Sequence, residues 1–331
     1  MHITVPSKLS GMRLDAALAA LFPDHSRNRL KGWLDEGKIL LDGAVMPAKT
    51  KVYGGEDIVT DLPEAEIETT AVAEDIPIDV IFEDEQIIII NKPPGLVVHP
   101  GAGNRDGTLL NALLHHAPEV ANVVRAGIVH RLDKDTSGVM MVAKTAKAQT
   151  NLVRQLQSRS ASREYLALVH GTLRRPGTVE NMLGRHPKER TKMAALVFGG
   201  KPAITHFKPR EDFGGPALLG RHYTLVECKL ETGRTHQIRV HMSGLRHPIV
   251  GDATYGKRGD TMFDRQALHA WRLTVKHPST GKPVQFIAPL PNDMKMMLKT
   301  LRAERDNRSV DDDFDDDDFD DSGNEFIYVR D

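Results

Sequence analysis

Apolar residues recur along this chain with two periods, and the change from one to the other divides it. Near the N-terminus Leu14, Ala17, Leu18 and Leu21 fall three and four apart, and Leu30, Trp33 and Leu34 repeat that spacing, which predicts two consecutive amphipathic helices. Ser26 stands where a side-chain oxygen caps the second helix, and Gly37 where a left-handed residue ends it. Residues 38–41, Asp42-Gly43 and residues 44–47 read as a hairpin, because an Asp-Gly pair tolerates the positive φ angles of a tight turn. Residues 1–62 thus form a first unit of two helices followed by small strands. Residues 63–77 are acidic, lack an apolar period and carry a proline at each end, the pattern of a linker between units that reorient.

From Ile78 onward the periodicity shortens. Residues 86–91, with four successive isoleucines, predict a buried strand that Lys92-Pro93-Pro94-Gly95 stops. Further strands are predicted at 139–143, 164–169, 203–208, 223–230, 267–275 and 283–287. Helices are predicted after Thr108, over 146–156 with Thr145 as cap, and through Met242. The regular strand-helix alternation of a doubly wound sheet is absent, so residues 78–303 read as an α+β domain with a largely antiparallel sheet. Met294, Met297, Leu298 and Leu301 line a last helix, where a methionine stripe signals core packing. Residues 304–331 form a tail containing DDDFDDDDFDD, too charged to collapse and expected to be disordered.

Charge sharpens this division. The whole chain is −1, but nine aspartates at 311–321 with Glu325 and Asp331, against Arg330, make the tail −10 and leave the body at +9. A basic body favours polyanion partners such as nucleic acid. The single cysteine, Cys228, excludes an intramolecular disulfide framework and a cysteine metal cluster. No stretch has the roughly 20 apolar residues of a membrane span, and the start resembles no signal peptide, so a cytoplasmic location is expected.

Two segments concentrate chemistry: HRLDKDTSG at residues 130–138 and GRTHQIRVH at residues 233–241. No phosphate-binding loop, dinucleotide fingerprint or histidine-rich metal spacing accompanies them, so neither cofactor nor metal is expected. Asp133, among cationic neighbours, suits the role of nucleophile or base, with Arg131 as its partner or as a grip for phosphate. On local chemistry other readings stay open. The short polar side chains can simply satisfy a tight turn, or Asp133 and Asp135 can form a hydrolase-like carboxylate pair. Arg234, at a strand-helix junction, can pair with Glu231 or bind a carboxylate or phosphate.

The order of distant segments is more specific. HRLDKDTSG, REYLALVHG (163–171), LETGRTHQIRVH (230–241), HPIVGD (247–252) and RQALHA (265–270), preceded by NKPPGLVVHPGAG (91–103), resemble the RluA family of pseudouridine synthases. In the first unit Arg27 and Lys31 share a face away from the apolar stripe, with Arg29 nearby, and the helix pair with its hairpin resembles the S4 RNA-binding module. The family resemblance implies isomerisation of a flipped-out uridine in RNA without cofactor, on a stem-loop of large-subunit ribosomal RNA; a monomer is adequate for that reaction. It further implies that Asp133 is the essential aspartate, Tyr165 the tyrosine that stacks on the base and can help remove the C5 proton, Arg234 the arginine paired with the carboxylate, and Arg131 the residue that fills the vacated helix. Two alternatives remain at this level: a non-catalytic RNA-binding assembly factor and a carboxylate-dependent hydrolase.

Overall fold

A computed structural model describes residues 2–22, 25, 27–60, 71–101, 103–189, 191–214 and 221–306. Ser26, residues 61–70 of the expected linker and residues 307–331 of the acidic tail lie outside the described residues.

The N-terminal residues build a core of their own. Helices α1 (Leu14–Leu21) and α2 (Arg27–Asp35) accompany a three-stranded antiparallel sheet of β1 (His2–Thr4), β2 (Ile39–Leu41) and β3 (Asp57–Thr60), in the order β1-β3-β2. Leu14, Leu18, Leu30, Leu34, Ile39 and Ile58 are wholly buried in this cluster. Gly37 (φ +72°) ends α2 as expected: its N–H donates to Leu34 O and that of Lys38 to Trp33 O, at 3.1 and 2.8 Å. The expected hairpin is corrected. Asp42 and Gly43 do turn with positive φ, and Leu41 and Ala44 exchange both backbone hydrogen bonds, but residues 44–47 form no second strand. Val45 is exposed and Pro47 has no N–H to extend a ladder, whereas β3 brings the buried Ile58 to β2.

The remaining chain folds around one ten-stranded sheet. Its strands are β4 (Asp79–Glu83), β5 (Ile87–Lys92), β6 (Ser137–Ala143), β7 (Ser162–His170), β8 (Gly177–Arg185), β9 (Met193–Leu196), β10 (Lys201–Gly214), β11 (His222–Leu230), β12 (Leu268–Lys276) and β13 (Pro283–Ile287). The spatial order is β4-β5-β6-β12-β7-β11-β10-β8-β9, with β13 on β12. Every pairing is antiparallel except β6 with β12, which runs parallel over His269↔Ser137 and Ala270↔Gly138. This is the expected α+β architecture with a largely antiparallel mixed sheet.

Four α-helices among the described residues complete this part: α3 (Leu109–His116), α4 (Ala146–Gln157), α5 (Gln237–Gly244) and α6 (Asn292–Asp306). α4 packs on β6 and β12, while α5 and α6 pack on β10. The isoleucines of β5 and the stripe Met294, Met297, Leu298 and Leu301 of α6 are core residues. Residues 71–77 have no regular structure yet are tied to α3: Asn111 Nδ2 donates to Val72 O at 2.7 Å, and Glu74 N to Asn111 O at 3.1 Å.

Candidate active site

HRLDKDTSG enters β6, and backbone bonds more than its own side chains hold it. The His130 ring accepts from Met141 N at its Nε2, at 3.0 Å, so that nitrogen carries no proton; burial pushes the imidazole down to about 3. Lys92, wholly buried, donates to the carbonyls of Pro93, Leu96 and Lys134 at 2.7, 3.0 and 2.9 Å, one for each ammonium proton. Burial lowers its amine to about 7, with Asp135 acting against that fall. Arg265 Nη1 donates to Asp135 O at 2.9 Å, and Gln266 Nε2 to Thr136 Oγ1 at 3.2 Å. The Asp135 carboxylate itself forms no hydrogen bond or ion pair among the described residues. The Asp135 side chain therefore does not satisfy the turn; Lys92 and Arg265 grip its backbone instead.

Asp133 projects from this held loop toward α5. Its Oδ2 accepts from Arg239 Nη1 at 3.0 Å, and the Nε2 of His236 lies 3.9 Å away. Arg239 is also clamped by Asp252, with Nε to Oδ2 at 2.7 Å and Nη2 to Oδ1 at 2.9 Å. Two carboxylates hold the Arg239 guanidinium above its ordinary value against the desolvation of burial. Burial would raise the Asp252 carboxyl, but Arg239 and the N–H groups of Tyr255 and Thr254 outweigh it and hold it low.

The expected partner was Arg234, and the structure corrects this. Arg234 Nε donates instead to Pro202 O at 3.0 Å. The two arginines of GRTHQIRVH are separated by the start of α5. His236, at φ +55°, breaks the chain direction, and the first helical turn then aims Arg239 inward. Glu231, the other carboxylate considered for Arg234, is occupied by Arg159 and His206, each at 2.8 Å. His236 was not singled out by sequence. Its Nδ1 meets Tyr255 Oη at 2.8 Å, and that oxygen already accepts from Met193 N at 2.7 Å. In the tautomer in which Tyr255 donates its proton to His236 Nδ1, the neutral ring's hydrogen sits on Nε2, toward Asp133. Burial lowers the His236 imidazole, with Asp133 opposing.

Asp133, Tyr165, Arg131 and Arg234 line one cavity of about 610 Å³, with Arg125, Arg159, Arg163 and Glu231 among its walls. Tyr165 sits in the middle of β7, registered with Cys228 on one side and Ala270 on the other. Burial raises its phenol, an effect that Arg163 opposes and Asp133 reinforces. Arg131 is exposed on the rim. Asp135 is not among the wall residues. The buried Cys228 thiol is pushed up to about 12 and is inert at neutral pH. Among the described residues no group of three His, Cys, Asp or Glu side chains could hold a metal ion, and no helix is long and apolar enough to cross a membrane.

The expected RNA-contacting residues Arg27, Arg29 and Lys31 stay apart from this cavity, in α2. Arg27 is not simply displayed to solvent: its Nη2 lies 2.8 Å from Asp15 Oδ1, a buried carboxylate that Arg13 also grips. Arg29 stacks over Trp33 at 5.4 Å, and Lys31 is exposed.

Residues 86–244 match the family model described as RNA pseudouridylate synthase. The chain is 51% identical to a ribosomal large subunit pseudouridine synthase D of Vibrio vulnificus, covering 94% of this chain and 97% of that one. It is 50% identical to the Escherichia coli protein of the same name, over 91% and 94%. The solved structure of human RNA pseudouridylate synthase domain containing 1 superposes with a TM-score of 0.52 at 27% identity, covering 72% of this chain and 98% of that one. An aspartate clamped beside a tyrosine in a basic cavity, and relatedness along nearly the whole chain, lead to one conclusion: this protein belongs to the RNA pseudouridylate synthases, enzymes that isomerise uridine within RNA.

Proposed function

We propose that this enzyme converts particular uridines of a large-subunit ribosomal RNA stem-loop to pseudouridine, with Asp133 as the essential residue. The observation that carries the proposal is the Asp133 carboxylate, fixed by the Arg239–Asp252 pair on the wall of a cavity rich in arginine. Pseudouridine formation breaks the N1–C1′ bond, turns the uracil and joins C5 to C1′; the C5 proton leaves and N1 gains one. Asp133 serves either as nucleophile at C1′ or as base at C2′. The target base stacks on Tyr165 after flipping out of its helix, and Arg131 occupies the space it leaves. A phenol raised by burial is protonated at rest, which suits stacking better than resting base chemistry.

The first 62 residues act as an S4-like RNA-docking unit joined by residues 63–77 to the catalytic domain at 78–303, ahead of the acidic tail at 304–331. Arg29 and Lys31, with Arg27 at their side, meet the phosphates. The enzyme works as a cytoplasmic monomer without cofactor. The hydrolase alternative pairs Asp133 with Asp135, which does not line the cavity, and the cavity's other carboxylate, Glu231, is held by Arg159 and His206.

Release of tritium from RNA carrying C5-labelled uridine tests the proposal. Wild-type protein releases label from large-subunit ribosomal RNA, and Asp133→Asn binds the same RNA but releases none. Release by Asp133→Asn at the wild-type rate would remove the aspartate from the mechanism. Sequencing of pseudouridines in a deletion strain names the target positions.

A further inference from the structure

Among the described residues, arginines other than Arg163 that lose much of their contact with water are matched by carboxylates, including the part-buried Arg265, held by Asp293. Arg239 holds two and Arg272 is paired with Glu164. Arg163, in β7, departs from this pattern. It is 8% exposed, its Nε has no hydrogen-bond partner, and Nη2 reaches only the Glu231 carbonyl at 3.5 Å. No carboxylate pairs with it among the described residues. The room it occupies is kept open by the glycine of GRTHQIRVH, since a Cβ on Gly233 would stand 2.4 Å from Arg163 Nη1. A guanidinium out of water without an anion is costly, and folds retain such groups where a ligand supplies the missing charge.

That ligand enters through the cavity, whose wall includes Arg163. Its two carboxylates are already engaged, Asp133 by Arg239 and Glu231 by Arg159 and His206. Arg125, Arg131 and Arg234 on the same wall have no carboxylate partner among the described residues, so the cavity keeps an excess of positive charge. Arg163 and Tyr165 lie two apart on one strand and therefore share a face, about 7 Å apart along it. A nucleotide whose base lies on Tyr165 carries its backbone to Arg163.

We propose that Arg163 binds a phosphate adjoining the target uridine, forming a backbone subsite at the floor of the cavity. The proposal rests on the cavity being the uridine site. Its test is a chemical double-mutant cycle read as binding. Fluorescence anisotropy measures the affinity of the Asp133→Asn protein, with and without Arg163→Met, for a large-subunit stem-loop. The RNA is unmodified, or carries one neutral methylphosphonate immediately 5′ or 3′ of the mapped uridine. Arg163→Met weakens binding of unmodified RNA about 10-fold or more, the range of a charge-assisted contact. One of the two methylphosphonates produces the same loss, and combining it with Arg163→Met adds nothing further. Losses that multiply at both positions, or unchanged affinity in Arg163→Met, overturn the proposal.

A thermal melt separates binding from folding. A buried cation without a partner contributes no stability, so Arg163→Met melts at or above the parent temperature. A fall of several degrees would make Arg163 a structural anchor and overturn the subsite. Because the readout is affinity, absence of tritium release by wild-type protein would sink the pseudouridine assignment without being mistaken for failure of the phosphate contact.

Discussion

Asp133 owes its position to a chain of charges rather than to its own loop. Arg239 reaches it, and Asp252, completely buried, fixes the other edge of the same guanidinium. Removing Arg239 leaves the buried Asp252 carboxylate without its counter-ion, which costs about 3–5 kcal/mol for a buried pair. Arg239→Gln is therefore expected to lower stability in urea titration by about that amount and to abolish tritium release. Arg234→Gln, which releases only a carbonyl and no buried carboxylate, leaves the unfolding free energy within about 0.5 kcal/mol of wild type. Comparable losses from both would refute the assignment of Arg239 as the carboxylate's partner. Motif order in the sequence singles out Asp133 and Tyr165, and both line one cavity. It assigned the wrong arginine of GRTHQIRVH because the choice depends on the residue at which α5 starts, set by the left-handed His236 and its bond to the distant Tyr255.

Elements were legible where one face or both are apolar. The β5 isoleucines and the α6 stripe lie where periodicity puts them. β8 and β9 escaped, because GTVENMLGR mixes polar and apolar residues on a half-exposed strand and MAAL is too short to show a period. β6 posed a subtler problem: its run of buried residues gives the strand but not its parallel partner, which comes from far along the chain. The contact is close. Gly138 has φ +114°, and a Cβ there would meet Ala270 O at 2.1 Å. Gly138→Ala must push β12 away while adopting a conformation that L-residues avoid, a loss of about 3 kcal/mol or more. Urea unfolding of that variant should show the loss, together with reduced turnover; a midpoint equal to wild type would mean the seam yields freely.

At the scale of the molecule, buried histidines set a pH limit. His241 and His269 are inside the fold, and burial pushes each down to about 4. Between the ordinary imidazole value near 6.5 and about 4, the unfolded chain binds protons that the native state refuses. Stability is thus full above pH 6.5 and falls as the solution is acidified, by about 1.4 kcal/mol per pH unit for each such histidine. Urea titrations at pH 7 and pH 5 should show that decline before most carboxylates titrate, and equal midpoints would refute it. The sheet has a further consequence. Asp133 arrives with β6, whereas Tyr165 and Arg239 come from sequence beyond it, and the two parts meet along a parallel join only two residue pairs long. A slip of one residue at that join displaces a strand by about 3.3 Å, more than the length of the Asp133–Arg239 hydrogen bond, 3.0 Å. Misjoined molecules would then be inactive as well as weakened, so turnover reports whether the two parts of the chain have been assembled in register.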